Sequence, residues 1–160
     1  MPVHSVPSTQ GLETGSRRLE VRLLGPLAMA LGGRAVHIGS PKQRAVLAVL
    51  ALEAGKLVTS DTLCELVWDE DQPASPSSTL QSLISRLRGA IAAASGGVVE
   101  VSRDVLRTRE PGWVLDVEPA AVDAMRFQEL TIRARHRRER GDAAAAAKDL
   151  AEAIGLWRGA

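Results

Sequence analysis

One cysteine among 160 residues and a formal net charge of only +1 remove two common signatures at the outset. A lone thiol closes no internal disulfide, which fits a reducing compartment. Cys64 sits in the apolar stretch "TLCELVW", where a buried, inert thiol is expected. Near-neutral charge removes the overall electrostatic mark of a nucleic-acid binder, so any such function has to be argued from local pattern. There is no run of about 18 apolar residues and no charged n-region leading into an apolar core, so neither a helical membrane span nor a secretory signal is expected. The expected localisation is cytoplasmic. Catalytic constellations are missing as well. His4, His37 and His136 are scattered along the chain. "LGGRAV" lacks phosphate-loop spacing and its lysine-threonine ending, and "DEDQ", residues 69 to 72, lacks EF-hand spacing and runs straight into proline. The expectation is no enzyme, no cofactor and no metal site.

What is present is clear punctuation. Residues 1 to 18, "MPVHSVPSTQGLETGSRR", are rich in Pro, Ser, Thr and Gly without periodicity and read as a flexible leader. From Leu19, "LEVRLLGPLAMAL" and "GGRAVHIG" read as short antiparallel strands, broken at Gly25-Pro26 and joined at the Gly32-Gly33 turn. "SPKQRAVLAVLALEAG" carries helix signals at both ends: Ser40 at N-cap, Pro41 at the first helical position, Gln43 completing a capping box and Gly55 as the stop. Val46, Leu47 and Leu50 face inward. A second, short helix is expected in "LVTSDTLCELVW", capped by Ser60, with Leu63, Leu66 and Val67 inward. The acidic, proline-containing "DEDQPASP" then delivers the chain into a third. After Gly96-Gly97, "VVEVS", "VLRTRE" and "WVLDV" are β-rich runs, the last two hinged at Pro111-Gly112 by a type II turn signal.

The third helix carries the functional reading. In "SSTLQSLISRLRGAI", residues 77 to 91, Leu80, Leu83, Ile84, Leu87, Ala90 and Ile91 fall on one stripe of a 3.6-residue period and form a buried face. The opposite face presents Ser78, Gln81, Ser82, Ser85 and Arg86, with Arg88 flanking it. It offers donors and cations with no carboxylate, whereas a merely solvated face mixes both signs. The second and third helices resemble a helix-turn-helix with a lengthened connection, and the hairpin after them its wing. The expected fold over residues 19 to 117 is α+β, a winged helix-turn-helix made of a small N-terminal antiparallel sheet, three helices and a C-terminal β-hairpin wing.

On that fold the helix over 78 to 92 is the expected reader of the major groove, where Arg matches guanine and Gln matches adenine. Its candidate DNA contacts are Ser78, Thr79, Gln81, Ser82, Ser85, Arg86 and Arg88. Ser77, Ser78 and Thr79 also offer hydroxyls and free N–H groups to a phosphate. On the wing, Arg107 and Arg109 are two apart and so share a face, with Arg103 at the preceding turn; they suit a phosphate or a narrow minor groove. Lys42 and Arg44 are weaker phosphate candidates, placed in a first helical turn where cations oppose the dipole.

Residues 118 to 160 change to helix formers. Asp123 is expected to cap a helix, with Val122 and Phe127 as its hydrophobic staple and Leu130 and Ala134 inward. "GDAAAAAKDLAEAIGLW" restarts after Gly141, with Asp142 as N-cap and Ala143, Ala147, Leu150, Ile154 and Trp157 on one face. Such an αα-hairpin normally stacks on further repeats. Part of its apolar face is therefore expected to pack on the winged helix, with Trp157 buried there and contributing about 1.5 to 3 kcal/mol. The run "ARHRRERG", residues 134 to 141, reads as a solvated helix end.

"LGPLAM", "SPKQRAVLAVL", "LVTSDTLCELVW", "TLQSLISRLRGAI", "PGWVLDV" and "VDAMRFQEL" resemble successive blocks of the Streptomyces antibiotic regulatory protein family of transcriptional activators. The resemblance implies an OmpR-type winged helix followed by an all-α, tetratricopeptide-like bacterial transcriptional activator domain, here much shorter than in the family. It implies double-stranded promoter DNA as partner, bound at direct repeats by monomers that associate on the DNA. RNA polymerase is implied as a second partner and an antibiotic biosynthetic gene cluster as target. No receiver domain precedes the winged helix, so no phosphoacceptor aspartate is expected. The alternative is a protein-interaction module that uses the C-terminal helix pair and has little DNA affinity.

Overall fold

The computed structural model describes residues 18 to 159, so the leader expected over 1 to 18 lies, but for Arg18, outside the described residues, as does His4. Three short strands open the fold: β1 (Leu19–Arg22), β2 (Ala28–Leu31) and β3 (Arg34–Ala35), hydrogen-bonded antiparallel in that order. Alternation turns Leu19, Val21, Met29 and Leu31 inward. Gly32 and Gly33 make the expected turn, both at positive φ (55° and 79°), where side-chain-bearing residues are strained.

α1 (Pro41–Leu52) starts where its capping residues predict. The Gln43 N–H donates to Ser40 Oγ at 3.2 Å, and Pro41 takes the first position. The buried residues Val46, Leu47, Leu50 and Ala51 set the helix against α3 (Pro76–Ala94). Two expectations fail nearby for one reason. Leu57–Thr59, read as the approach to a helix, is a strand, β4, and Val99–Val105, read as β-rich, is a short helix, α4. A run of a few β-branched residues has no period that separates strand from helix, so tertiary partners decide. β4 pairs with β6 (Gly112–Leu115), Val58 opposite Trp113, while α4 turns Ser102 and Val105 inward and packs on α3. The winged-helix unit therefore has four helices, not three.

α2 (Ser60–Trp68) is capped one residue earlier than expected. Thr59 Oγ1, not Ser60, accepts the Thr62 N–H at 3.2 Å. Ser60 instead donates its N–H and its hydroxyl to the Pro111 carbonyl, each at 3.0 Å. The inward face is Leu63, Cys64, Val67 and Trp68, whereas Leu66, expected inward, is 61% exposed. Burial, reinforced by the charge of Asp61, pushes the Cys64 thiol pKa up, which keeps it protonated and inert.

β5 (Leu106–Arg109) and β6 form the wing, and the second sheet has the order β4-β6-β5. Its turn is Glu110 and Pro111, not Pro111 and Gly112. Gly112 serves a different need: a Cβ there would overlap the Val58 carbonyl oxygen, so only glycine lets β4 lie this close.

After a 3-10 turn (Pro119–Ala121), α5 (Asp123–Glu139) and α6 (Ala143–Gly155) form the expected helical hairpin. Asp142 caps α6 as expected, accepting the Ala145 N–H at 3.1 Å. Asp123 does not cap α5. Val122 is the N-cap, and the Asp123 carboxylate accepts the Leu23 and Leu24 N–H groups at 2.6 and 3.1 Å. Arg158, beyond α6, donates its N–H to the Leu24 carbonyl at 3.0 Å and its guanidinium to the Pro26 carbonyl at 2.8 Å. Both ends of the hairpin thus grip the connection between β1 and β2.

The hairpin docks on the winged helix, then, through these polar groups and through Val122 and Met125, which join the apolar cluster, rather than through the stripe expected. Leu150, Ile154 and Trp157 are 44%, 70% and 57% exposed, against the expectation that Trp157 is buried. α6 turns Ala146, Asp149 and Ala153 inward instead, facing Leu130 and Ala134 of α5, which are buried as expected.

Candidate nucleic-acid interface

α3 buries Leu80, Leu83, Ile84, Leu87 and Ile91, the stripe read from the sequence, with Ala90 half-buried beside it. Pro76 at the first position starts the helix before residue 78. Ser78, Gln81, Ser82, Ser85 and Arg86 are all exposed. A 3.6-residue period centres this face on Ser78, Ser82, Ser85 and Gly89, places Gln81 at the edge toward the wing and moves Arg86 to the other edge. Small residues at the centre let the helix approach a base-pair edge closely.

Between the wing-side edge and the wing runs a groove of about 330 Å³, lined among others by Ser60, Gln81, Ser85, Arg88, Thr108 and Glu110. Ser60, expected only as a helix cap, and Thr108 and Glu110 are not among the candidates the sequence offers for this site. Thr108 had a signal, since it alternates with Arg107 and Arg109 and must face the other way. Glu110 sits in the turn, where nothing local shows that it borders α3.

Several candidate side chains have partners within the protein. Thr79 and Ser82 donate their hydroxyls to the Ser75 and Ser78 carbonyls at 2.9 and 3.1 Å, which leaves their oxygens as acceptors. Arg88 is half-buried, and its Nε and Nη2 donate to the Leu106 carbonyl at 2.9 and 2.6 Å. Burial, and after it the charge of Arg103, lowers its pKa. Arg103 is not part of the wing; it lies in the last turn of α4. Arg107 pairs with Asp116 at 3.0 Å, both side chains about half exposed (54% and 53%), a contact weak enough for a phosphate to displace. Arg109 is exposed beside the turn.

Lys42 Nζ donates to the Val67 carbonyl at 2.7 Å and lies 6.0 Å from the centre of the Trp68 ring. It closes the C-terminal end of α2, where a cation is favourable, so its position needs no phosphate to explain it. Arg44 Nε reaches the Ile38 carbonyl at 3.4 Å. Among the described residues no cluster of His, Cys, Asp or Glu could hold a metal ion, and no helix is long and apolar enough to cross a membrane.

Residues 33–110 match the family described as transcriptional regulatory protein, C terminal, and residues 122–160 match the bacterial transcriptional activator domain. Regulatory protein DnrI of Streptomyces peucetius is 35% identical over 142 residues, which cover 88% of this chain and 52% of that protein. Transcriptional regulatory protein EmbR of Mycobacterium tuberculosis is 34% identical over 149 residues, covering 93% of this chain and 37% of EmbR. Regulatory protein AfsR of Streptomyces griseus is 30% identical over 155 residues, 97% of this chain and 14% of AfsR. The solved structure of Mycobacterium tuberculosis EmbR in complex with a low affinity phosphopeptide superposes with a TM-score of 0.78 at 34% identity, over 89% of this chain and 37% of that one. The chain thus spans about half the length of DnrI and little more than a third of EmbR.

Proposed function

This chain belongs to the Streptomyces antibiotic regulatory protein family of transcriptional regulators, and on that premise we propose that it is a cytoplasmic, sequence-specific DNA-binding activator of a secondary-metabolite gene cluster. The observation that carries the reading is the exposed face of α3, polar, free of carboxylates and small at its centre, standing beside a wing that bears Arg107 and Arg109. α3 lies in the major groove, where Gln81 and Arg86 supply the bidentate chemistry of base reading and Ser78, Thr79, Ser82 and Ser85 supply hydroxyls to bases or phosphates. The wing cations take phosphates or the minor groove beside it. Residues 19 to 117 form the DNA-binding unit and 118 to 160 belong to the activator region, with RNA polymerase as its partner. Monomers bind direct repeats and associate on the DNA.

Footprinting across candidate promoters at stated salt, followed by titration of the protected duplex, tests this. Arg86→Ala is expected to weaken specific binding by about 1 to 3 kcal/mol and to relax preference at one base pair. A chain that protects no promoter segment beyond what unrelated DNA shows would remove the reading. In that event the exposed stripe of Leu150, Ile154 and Trp157 supports the second reading, a module that docks another protein through the helical hairpin.

A further inference from the structure

Arg88 leaves α3 at its wing-side edge, next to the buried Leu87. Besides the two bonds from Nε and Nη2 to the Leu106 carbonyl, its Nη2 donates to Thr108 Oγ1 at 2.9 Å. Both acceptors belong to β5. Thr108 alternates with Arg107 and Arg109, so Arg88 grips the side of the strand opposite the one that carries the wing cations. The wing's other attachments come from elsewhere: Ser60 of α2 holds the Pro111 carbonyl, and β4 pairs with β6. Those ties fix the hairpin to its sheet and do not reach α3. Apolar contact among Ile84, Leu87, Leu106 and Trp113 holds helix and wing in one core, and among the described residues the Arg88 fork adds the side-chain hydrogen bonds that join them across the groove.

We propose that Arg88 is a positioning residue that sets the spacing between α3 and the wing, so that α3 in the major groove and Arg107 and Arg109 on the neighbouring backbone engage one duplex together. It does not itself read a base. This rests on the DNA-binding reading above. A planar guanidinium suits the task because its rigid fork satisfies a carbonyl and a hydroxyl in one fixed geometry, which a lysine ammonium does not reproduce. Reading guanine would need a bidentate fork of the same kind. Here Nε and Nη2 are already engaged, and releasing them would take both donors from the Leu106 carbonyl.

The test uses the full chain and a duplex recovered from a random-sequence library by the unsubstituted protein, with an unrelated duplex as reference. Binding is followed by fluorescence anisotropy over a range of salt. Arg88→Met is expected to weaken the selected duplex about tenfold, the scale on which groups in one hydrogen-bonded network couple. Base preference should stay unchanged, and the salt slope should fall by about two as the wing disengages both Arg107 and Arg109. Arg109→Ala should then cost much less in the Arg88→Met background than alone, while Arg86→Ala costs the same in both. Arg88→Lys, which keeps stem and charge, should fall between; it replaces Arg88→Met in the cycle if the methionine variant melts below the assay temperature. Relaxed preference at one base pair with additive losses would make Arg88 a base contact and overturn the proposal, as would unchanged affinity. An unsubstituted chain that recovers no duplex overturns the DNA-binding reading and this proposal with it. A chain that recovers one but shows additive losses overturns the Arg88 assignment alone.

Discussion

Between Leu19 and Val122 the chain closes around an apolar cluster in which Val46, Leu50, Leu63, Leu80, Leu87 and Leu115 are 0% exposed. α5 and α6 meet differently, over Leu130, three alanines and a carboxylate, Asp149, that is only 3% exposed. Arg133 holds that carboxylate through Nε at 3.1 Å and Nη2 at 2.8 Å, and Arg137 adds a third contact at 3.0 Å. Arg126 bridges Glu129 and Glu152 on the next turn, at 3.0 and 2.8 Å. Apolar burial is non-directional and tolerates some repacking. A buried carboxylate has one acceptable arrangement, and it dictates which face of α6 turns inward even when a more apolar face is available. Leu150, Ile154 and Trp157 are outside because the charge of Asp149 is inside.

The largest effect should come from the apolar half. Leu50→Ala removes a side chain with no exposed surface and should lower stability by about 2 to 5 kcal/mol in urea denaturation. A loss under about 1 kcal/mol would mean that the cluster is less tightly packed than its burial indicates.

Smaller, and confined to the other half, is the effect of Asp149→Asn, which should speed amide exchange in α5 and α6 while α1 and α3 keep their protection. The change has a pH signature. The hydrogen bond from Arg133, and then the charges of Arg133, Arg137 and Arg126, hold the Asp149 carboxyl below its ordinary value of 3.8. The unfolded chain therefore takes up this proton more readily. The stabilisation is complete above 3.8 and is lost as pH falls through the lower folded value. Thermal melts of the unsubstituted chain should show this acid loss, and Asp149→Asn should abolish that segment of the curve. If both proteins follow the same acid profile, the ionic seam does not order the hairpin.

Trp157→Ala should matter least. With 57% of Trp157 exposed, its removal should cost under about 1 kcal/mol, against the 1.5 to 3 kcal/mol expected of a buried side chain. A larger drop in melting temperature would bring the two halves closer in kind than their contacts indicate.

Legibility in the sequence followed the same division. The buried stripe of α3 and the caps Ser40 and Asp142 stand where the sequence puts them, as does the Gly32-Gly33 turn. Each is a matter of residues within one or two turns of each other, where side-chain period and backbone N–H satisfaction act locally. The exposed face of α3 follows from the buried one by subtraction, so most of the candidate site was legible too. What was not legible is which polar groups the rest of the fold takes up. Lys42 goes to the end of α2, Arg88 to β5, Asp123 to the β1–β2 connection and Arg103 to α4.

By itself, then, the sequence determined the helices with long apolar periods, the turns that demand glycine, and the carboxylate-free face that points to DNA. Only the tertiary structure decided that "LVT" is a strand and "VEVSRDV" a helix, that α6 presents Asp149 rather than Leu150 to its neighbour, and that Arg88 of α3 donates to β5. The physical reason is one of range. Periodicity and capping are settled over about one or two helical turns. Pairing of a short strand, or neutralisation of a buried charge, depends on a partner such as the one Arg88 finds in β5, 18 residues away at Leu106 and 20 at Thr108, whose position no local pattern encodes.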